Sequence, residues 1–534
     1  MTASPHADRH TLHAALQSGI ALLQQNRFAD AVRLAGDLVT AHPDDPRSLD
    51  FASEAHLAND EPEQALELIG RAVAASGGAL ALELKRVQLL VRMRRRIEAR
   101  TTIARLAATA AAGDPRVLWQ LGTLLASCND PAGALRLFGR SHRVAGDVPR
   151  LLYDMATAQF FTGRFDEAER NLETLLVQAP QAGHALYLRA TLRRQTAEAN
   201  HVEDLRTRLT AGFGDRAEEA ACRYALAKEL EDLGHHDDAF IALETAAACK
   251  RSTLQYDLTG EIATFDTIRA SFTGDPAPSG AAGEGTVFIV GMPRSGTTLV
   301  ERLLVNGANA RSAGELLDFG TLLGDAVRHR LSDMPPGTDA AAAALTIDFA
   351  ALGRDYLEGA AQMVDGHTRF IDKMPVNFMY CGMIRRALPG ARIIHLVRDP
   401  LDSCHAVYKT LFFNAYHFSY RQEELADYFI AYRRLMQHWH AVMPGAILDV
   451  RYEDLVTDPE AQGRRIFDWC GWRWDAAALG NATTQTAFTT ASAAQVREPV
   501  HTRSIGRARR HAAALQPLLS RLQAAGLVGD LPPP

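Results

Sequence analysis

A regular interval separates five short segments of similar composition in the first third of the chain. Each segment ends in an alanine, and successive alanines are 34, 34, 35 and 34 residues apart: Ala31, Ala65, Ala99, Ala134 and Ala168. A further match, Ala239, follows 71 residues after Ala168, with a degenerate unit near Val202 between them. Such a period is typical of stacked helical units, each of which buries its apolar face only against its neighbours. The first half of the chain is therefore expected to be a repeat array.

Glycines and prolines occupy corresponding positions in several units. Gly19 and Gly122 lie 12 residues before the aligned alanine, and Pro43 and Pro180 lie 12 residues after it. This pattern resembles the tetratricopeptide repeat, which implies a pair of antiparallel helices per unit, close helix contact at the glycines and a helix end before the prolines. We predict an all-α tetratricopeptide-like array over residues 10–250. A generic Ala- and Leu-rich helical bundle is the alternative.

The pattern changes after a segment rich in Pro, Gly and small residues, FTGDPAPSGAAGEG at residues 272–285. Beyond it, short apolar runs alternate with longer amphipathic segments, which indicates a parallel sheet covered by helices. The predicted strands are TVFIV (286–290), RFI (369–371), ARIIHLV (391–397) and AILDV (446–450). We predict a multidomain chain with repeats at 10–250, a helix and linker at 251–285, and an α/β domain at 286–530. Because the linker lacks an apolar pattern, the two halves are expected to be separable near Ala277.

Composition excludes several classes of function. The formal net charge of -6 gives no basic excess for nucleic acid. Six cysteines without Cys-x-x-Cys spacing argue against a disulfide framework or a structural zinc site. Residues 1–13 are polar and no run approaches a membrane span, so a cytoplasmic protein without membrane contact is expected.

The first predicted strand leads into GMPRSGTT, residues 291–298. Its G-x-x-x-x-G frame before a helix is that of a phosphate cradle, in which backbone amides and the helix N-terminus converge on an anion. Arg294 can add a planar cationic fork, and Thr297 and Thr298 can add hydroxyl donors. These threonines replace the lysine and hydroxyl of nucleoside triphosphatases, so a P-loop kinase or hydrolase is disfavoured.

The segment FIVGMPRSGTTL resembles the 5′-phosphosulfate loop of the sulfotransferase family, particularly the tyrosylprotein branch and bacterial repeat-fused relatives. The resemblance spans about Thr286 to Ala525 and implies a P-loop-like α/β sulfotransferase domain. It also implies 3′-phosphoadenosine 5′-phosphosulfate (PAPS) as the co-substrate. The loop residues expected to contact it are Arg294, Ser295, Gly296, Thr297 and Thr298.

RDPLD follows the third predicted strand, with Arg398 at the strand exit and Pro400 opening the next helix. It resembles the family's 3′-phosphate motif, in which an arginine and a serine eight residues later hold that phosphate. The later position is Ala406 here, a departure from the pattern. Ser403 is a candidate substitute, although five residues along a helix do not give the same face as eight. A surface salt bridge is the alternative role for Arg398.

Other positions follow from the resemblance. Lys373 in FIDKMP matches a lysine near the transferred group, and Tyr452 in RYEDL matches a segment near the adenine, with core packing as its alternative. Ser492 matches a donor-contacting serine. Arg294 and Lys373 would supply the positive charge during transfer.

Glu315 in AGELLDF matches the glutamate that the tyrosylprotein branch uses to deprotonate its acceptor hydroxyl. A solvated glutamate at a helix start is the alternative. Histidine is the other type of base, with His405, His417 and His501 as candidates, while His395 lies in an apolar run typical of a buried residue. No arrangement of His, Cys, Asp or Glu has the spacing expected of a metal site, so no metal is predicted.

The expected function is sulfuryl transfer from PAPS to a hydroxyl, with a protein or peptide tyrosine as the leading acceptor, bound with help from the repeats. A small metabolite, glycan or lipid hydroxyl is an alternative. So is a scaffold whose nucleotide-binding domain is inactive. The repeats also allow a spacer role or a homodimer.

Overall fold

A computed structural model describes residues 5–109, 113–274, 276–335, 337–364, 366–480 and 499–529. The chain divides into two compact units, Met1–Val144 and Ala145–Pro534, which are described separately. This division falls within the predicted repeat segment rather than at the linker.

The first unit consists of consecutive helices that pack against their neighbours along the chain. Ala31, Ala65, Ala99 and Ala134 are all fully buried, and a Cβ on Gly19 would lie 2.2 Å from the ring of Phe51. Close packing at the repeated small residues is therefore confirmed. The helices are α1 (Pro5–Gln24), α2 (Phe28–Ala41), α3 (Pro46–Ala58), α4 (Pro62–Ala75), α5 (Leu80–Arg92), α6 (Arg96–Ala108), α7 (Pro115–Ser127) and α8 (Pro131–Ala145).

Local sequence explains where several of these helices begin. Asp45 and Asp114 cap α3 and α7, each accepting a 2.8 Å hydrogen bond from the backbone N–H two residues later. A proline follows each cap at the first helical position, where its missing N–H costs nothing.

The second unit starts with more helices of the same kind. Ala168 and Ala239 are buried, and the degenerate unit near Val202 forms a pair of short helices, Gly183–Thr191 and Val202–Ala211. The bounds are α9 (Pro149–Phe161), α10 (Phe165–Gln178), α11 (Gly183–Thr191), α12 (Val202–Ala211), α13 (Arg216–Asp232), α14 (His236–Arg251) and α15 (Leu258–Ser271).

A parallel sheet with strand order β2-β3-β1-β4-β5 follows. Its strands are β1 (Thr286–Gly291), β2 (Arg311–Gly314), β3 (Phe370–Asp372), β4 (Arg392–Val397) and β5 (Ile447–Arg451). The four predicted strands and the α/β class are confirmed. The sequence prediction missed β2, a four-residue edge strand whose first two residues are not buried.

Helices cover both faces of the sheet, so alternate residues of β1 enter two different cores. Phe288 and Val290 belong to one core, and Val287 and Ile289 belong to the other. The helices are α16 (Thr297–Ala308), α17 (Asp318–Ser332), α18 (Ala340–Ala344), α19 (Phe349–Ala361), α20 (Cys381–Ala387), α21 (Pro400–Tyr408), α22 (Gln422–Val442), α23 (Tyr452–Thr457), α24 (Pro459–Cys470) and α25 (Gln516–Ala524). Short 3-10 helices lie at Pro375–Tyr380, His417–Tyr420, Ala476–Leu479 and Arg507–His511.

Repeat helices and sheet share one apolar core in the second unit. Tyr224 and Phe240 from α13 and α14 belong to the same buried cluster as Phe288 of β1. The linker is part of it, because Phe272 packs 5.2 Å from Trp439 and Gly280 lies against the backbone of Ala387. A cut near Ala277 would divide this continuous core, which argues against the expectation that the halves separate there.

Among the helices of the described ranges, none combines the length and the apolar character that crossing a membrane requires.

Candidate active site

The loop at residues 291–296, here called the anion loop, connects β1 to α16 as predicted. Arg294 and Gly296 adopt left-handed backbone angles, with φ of 64° and 109°. A Cβ on Gly296 would lie 2.6 Å from Cδ2 of Tyr452, so this close approach requires glycine. The loop therefore presents the N-terminus of α16 to the space above the strand ends.

A cavity of about 860 Å³ opens beside this loop. The described residues that line it include ten lysines or arginines and three acidic side chains. Six of the predicted site residues are among them: Arg294, Gly296, Thr297, Thr298, Arg398 and Tyr452. The cavity therefore has the charge of a site for a multiply anionic ligand.

Arg398 directly follows β4, and its side chain forms part of the cavity wall. Its guanidinium donates to the carbonyl oxygens of Arg294, at 3.0 Å, and Ser504, at 2.8 Å. It also stacks 4.6 Å above the ring of Tyr452. Arg398 thus joins the anion loop to the C-terminal part of the chain, rather than forming a surface salt bridge.

Residues 499–511, the C-terminal strap, cover one side of the cavity. The carboxylate of Asp402 accepts hydrogen bonds from the backbone N–H groups of Gly506 and Ala508 and holds the strap to α21. The strap contributes further cations to the lining, namely Arg503, Arg507 and Arg510. Apart from His501, the sequence prediction missed the strap, although the basic run GRARR is a visible signal.

The repeat segment of the second unit also contributes to the cavity wall. Arg193 and Lys228 line the cavity, as does Glu231 of α13. Glu231 lies 2.8 Å from Lys409 and 3.5 Å from Arg507. Burial alone would raise the pKa of Glu231, but these cations outweigh burial and lower it to about 2. This wall could not be predicted from the sequence, because charges on repeat helices resemble an ordinary solvated surface.

Lys373 and Glu315 form an ion pair at the ends of β3 and β2. Lys373 is only 2% exposed, and its Nζ contacts Glu315 and lies 4.0 Å from Glu301. Burial would lower the pKa of Lys373, but the two carboxylates outweigh burial and raise it, so the lysine stays charged. Neither Lys373 nor Glu315 is among the described residues that line the cavity.

Arg294 connects this pair to the cavity. Its carbonyl oxygen accepts a hydrogen bond from Arg398 in the cavity wall. Its loop follows β1, which pairs with β3, and β3 pairs with β2, so Lys373 and Glu315 follow strands at the same sheet edge. The predicted catalytic residues Arg294, Lys373 and Glu315 are therefore grouped around the anion loop.

Asp372 is a buried residue of the site that the sequence prediction missed. Its carboxylate accepts hydrogen bonds from Tyr356 at 2.7 Å, Asn377 at 3.1 Å and the backbone N–H of Met374 at 3.1 Å. It also accepts from the N–H of Leu316, at 3.4 Å. Burial raises the pKa of Asp372 to about 7. Because it binds the residues next to Glu315 and Lys373, Asp372 fixes the position of both.

The predicted serines differ in their placement. Ser295 is buried in the anion loop, and its Oγ has no hydrogen-bond partner among the described residues. Ser403 is buried in α21 and is not among the described residues that line the cavity. Ala406, on the same helix, does line it. Ser492 lies outside the described residues.

Two of the three candidate histidines, His405 and His501, line the cavity. Burial lowers the pKa of His405 well below its usual value, and its ring lies 5.2 Å from that of His511. His417 packs against Tyr256. His395 is buried and hydrogen-bonded to Asp449, as its apolar run predicted.

Comparison with known proteins agrees with this architecture. A profile of the sulfotransferase family matches residues 286–476, and a tetratricopeptide repeat profile matches residues 125–192. A solved structure, the sulfotransferase domain from the Synechococcus PCC 7002 olefin synthase, is 22% identical and covers 47% of this chain and 98% of its own, with a TM-score of 0.33.

Two curated relatives are also similar. An uncharacterized protein of Aquifex aeolicus (strain VF5) is 28% identical over 381 residues, covering 68% of this chain and 48% of the relative. Omega-hydroxy-beta-dihydromenaquinone-9 sulfotransferase Stf3 of Mycobacterium tuberculosis (strain CDC 1551 / Oshkosh) is 29% identical over 107 residues, which are 18% of this chain and 28% of the relative. The chain thus spans about half or less of the length of these relatives.

The family match begins with β1 and includes the anion loop, Glu315, Lys373 and Arg398. The repeat match covers α8, α9, α10 and α11. The chain therefore joins helical repeats, matched by the tetratricopeptide repeat profile, to a domain at residues 286–476 that matches the sulfotransferase family.

Proposed function

We propose that this chain is a PAPS-dependent sulfotransferase that transfers a sulfuryl group to a hydroxyl acceptor, with a protein or peptide tyrosine as the leading acceptor. One observation carries the proposal: Arg398 of the cationic cavity donates a hydrogen bond to the anion loop, and the Lys373–Glu315 pair follows β3 and β2, at the same sheet edge as that loop. An anion-binding site and a carboxylate–lysine pair are thus adjacent.

The residues present fit such a donor. Its phosphates and sulfuryl group are anionic, and the cavity lining is cationic. The buried Ser295 Oγ, without a partner in the described part of the chain, would gain one from a ligand oxygen. Arg294, Thr297 and Thr298 would hold the 5′ end and Arg398 the 3′-phosphate, with Tyr452 near the adenine. When bound, the donor supplies the sulfuryl group.

The ion pair supplies the remaining chemistry. As the new sulfur–oxygen bond forms on the acceptor, the bond between sulfur and the 5′-phosphate oxygen of the donor breaks and adenosine 3′,5′-bisphosphate leaves. The acceptor hydroxyl loses its proton in this step, and the carboxylate of Glu315 is the group that accepts it. Lys373, kept charged by its two carboxylates, offsets negative charge near the transferred group. Asp372 positions both by binding the backbone next to each.

Aromatic residues near Glu315 support a phenolic acceptor. Burial raises the pKa of the Tyr416 hydroxyl, and the charge of Glu315 raises it further, so the two side chains interact. Tyr416 packs 4.8 Å from Phe412 in an edge-to-face arrangement. Phe413 and Tyr416 have left-handed φ values of 54° and 53°, which bulky residues rarely adopt and which cluster at ligand sites.

A lipid-like alcohol is the second candidate acceptor. The mycobacterial relative is named for a hydroxylated dihydromenaquinone, an apolar acceptor. Leu317, two residues from Glu315, is 66% exposed, which gives an apolar contact beside the proposed base. This candidate shares the donor, Glu315 and Lys373 with the first.

A transfer assay with sulfur-labelled donor tests the proposal and separates the acceptors. A tyrosine-containing peptide, its phenylalanine counterpart and a hydroxyl-terminated isoprenoid are compared at equal concentration. We expect label on the tyrosine peptide alone. Label on the isoprenoid would select the second candidate. Binding of the donor without transfer to any hydroxyl would instead support a scaffold.

Arg398→Ala should weaken binding of adenosine 3′,5′-bisphosphate, the product of the donor, by about 1.5 to 3 kcal/mol, the scale of a hydrogen bond to a charged group. The measurement is calorimetric titration, with Arg206→Ala as the control because Arg206 is half exposed and pairs only with Glu203 among the described residues. Unchanged affinity in a folded Arg398 variant would remove this residue from the site.

A further inference from the structure

Three side chains with metal-ligating atoms meet on one face of the sheet. None of them belongs to the residues proposed to act in sulfuryl transfer. His395 of β4 and Asp449 of β5 are register partners on neighbouring parallel strands, so their side chains lie on the same face. His440 lies in the last turn of α22, which packs over that face. Two strands and a helix thus bring one ligand each to a single point.

The ligating atoms converge closely. Nδ1 of His395 lies 2.8 Å from Oδ1 of Asp449, and Nε2 of His440 lies 2.9 Å from the same oxygen. The three atoms all lie within 4.8 Å of one another. When three such atoms each bind the same ion at about 2.0 to 2.2 Å, the distances between those atoms are comparable to the distances found here.

The surrounding residues orient the ligands. Nε2 of His395 is hydrogen-bonded to the hydroxyl of Tyr432, so Nδ1 faces the other two ligands. A histidine that binds a metal usually donates its second N–H to such a partner, which fixes the ring. Tyr432 also lies on α22, so the same helix provides both a ligand and the group that orients another.

The three side chains differ in their exposure to solvent, as expected for an ion site with one open side. His395 is 1% exposed, whereas the side chains of His440 and Asp449 are 34% and 46% exposed. One side is therefore closed by protein and the other is open to solvent. An ion can enter from the open side and complete its coordination with water.

We propose that His395, His440 and Asp449 form a binding site for a divalent transition-metal ion such as Zn²⁺. Two imidazoles and a carboxylate are a ligand set that these ions accept. The ion would tie β4, β5 and α22 together and stabilise the folded chain. The prediction of no metal rested on the absence of short ligand spacing, but these ligands lie 45 and 9 residues apart and are brought together only by the fold.

The test uses the full chain, free of any affinity tag, titrated with Co²⁺ as a spectroscopic probe and then with Zn²⁺ in competition. We expect one Co²⁺ per chain with visible absorption bands that Zn²⁺ removes, and a higher Tm with Zn²⁺. His440→Gln and Asp449→Asn should each weaken Co²⁺ binding by about 10-fold or more.

His329→Gln is the matched control because His329 is an exposed histidine in the last turn of α17. It should leave Co²⁺ binding unchanged, and bisphosphate affinity should be the same in all variants, which shows that they are folded. No stoichiometric binding by the parent chain would overturn the proposal. Equal Co²⁺ binding by the parent chain and by the folded His440 or Asp449 variant would also overturn it. The three residues would then form only a His–Asp–His hydrogen-bond network.

Discussion

Glu315→Gln is expected to lower kcat by about 100-fold or more while the affinity for adenosine 3′,5′-bisphosphate stays nearly constant. A tyrosine hydroxyl has a pKa of about 10, so near neutral pH it must be deprotonated during transfer, and an amide cannot accept that proton. The amide oxygen can still accept a hydrogen bond from Lys373, which keeps the buried lysine in place. The measurements are kcat at saturating donor and acceptor, and calorimetric titration.

Glu358→Gln is a suitable control because Glu358 is exposed on α19. A large loss of bisphosphate affinity in Glu315→Gln would place Glu315 in the donor pocket or the fold. An unchanged kcat, with chemistry limiting, would transfer the role of base to a histidine, and His405 and His501 are the candidates that line the cavity.

Deletion of residues 1–276 is expected to abolish both cooperative folding and bisphosphate binding. The cut removes Tyr224, Phe240, Phe265 and Phe272 from the shared core. Losing one buried aromatic side chain costs about 3 to 5 kcal/mol, and a whole domain is stable by only about 5 to 15 kcal/mol. It also removes Glu231, the partner of Lys409 in the cavity wall.

A chain beginning at Ala145 is the matched comparison, because it keeps the whole second compact unit. It should unfold cooperatively and bind the bisphosphate with the affinity of the full chain. The measurements are thermal unfolding followed by circular dichroism and calorimetric titration with the bisphosphate, each on both truncated chains. A chain of residues 277–534 that melts cooperatively and binds the bisphosphate normally would show that the shared core is dispensable.

Features set by local sequence could be predicted. The 34-residue period indicated helices whose small residues must be buried, and the aligned alanines are buried. A glycine frame between an apolar strand and a helix predicted the anion loop. Arg398 was predictable because residues directly after parallel strands lie at one edge of the sheet.

Features set by long-range contacts could not be predicted. β2 is short and lies at the sheet edge, so its residues lack an apolar pattern. Glu231 and Lys228 line the cavity only because α13 packs against the α/β domain. Asp372 directly follows the predicted strand at 369–371, and its role comes from contacts that include the backbone of Leu316, 56 residues away.

Titration with adenosine 3′,5′-bisphosphate, beside ATP under the same conditions, tests the central claim most directly. The proposed function predicts micromolar binding of one bisphosphate per chain and much weaker binding of ATP, because Thr297 stands where a triphosphate site has its lysine. Failure of the intact, folded chain to bind the bisphosphate, or equal binding of ATP, would contradict a PAPS-dependent sulfotransferase.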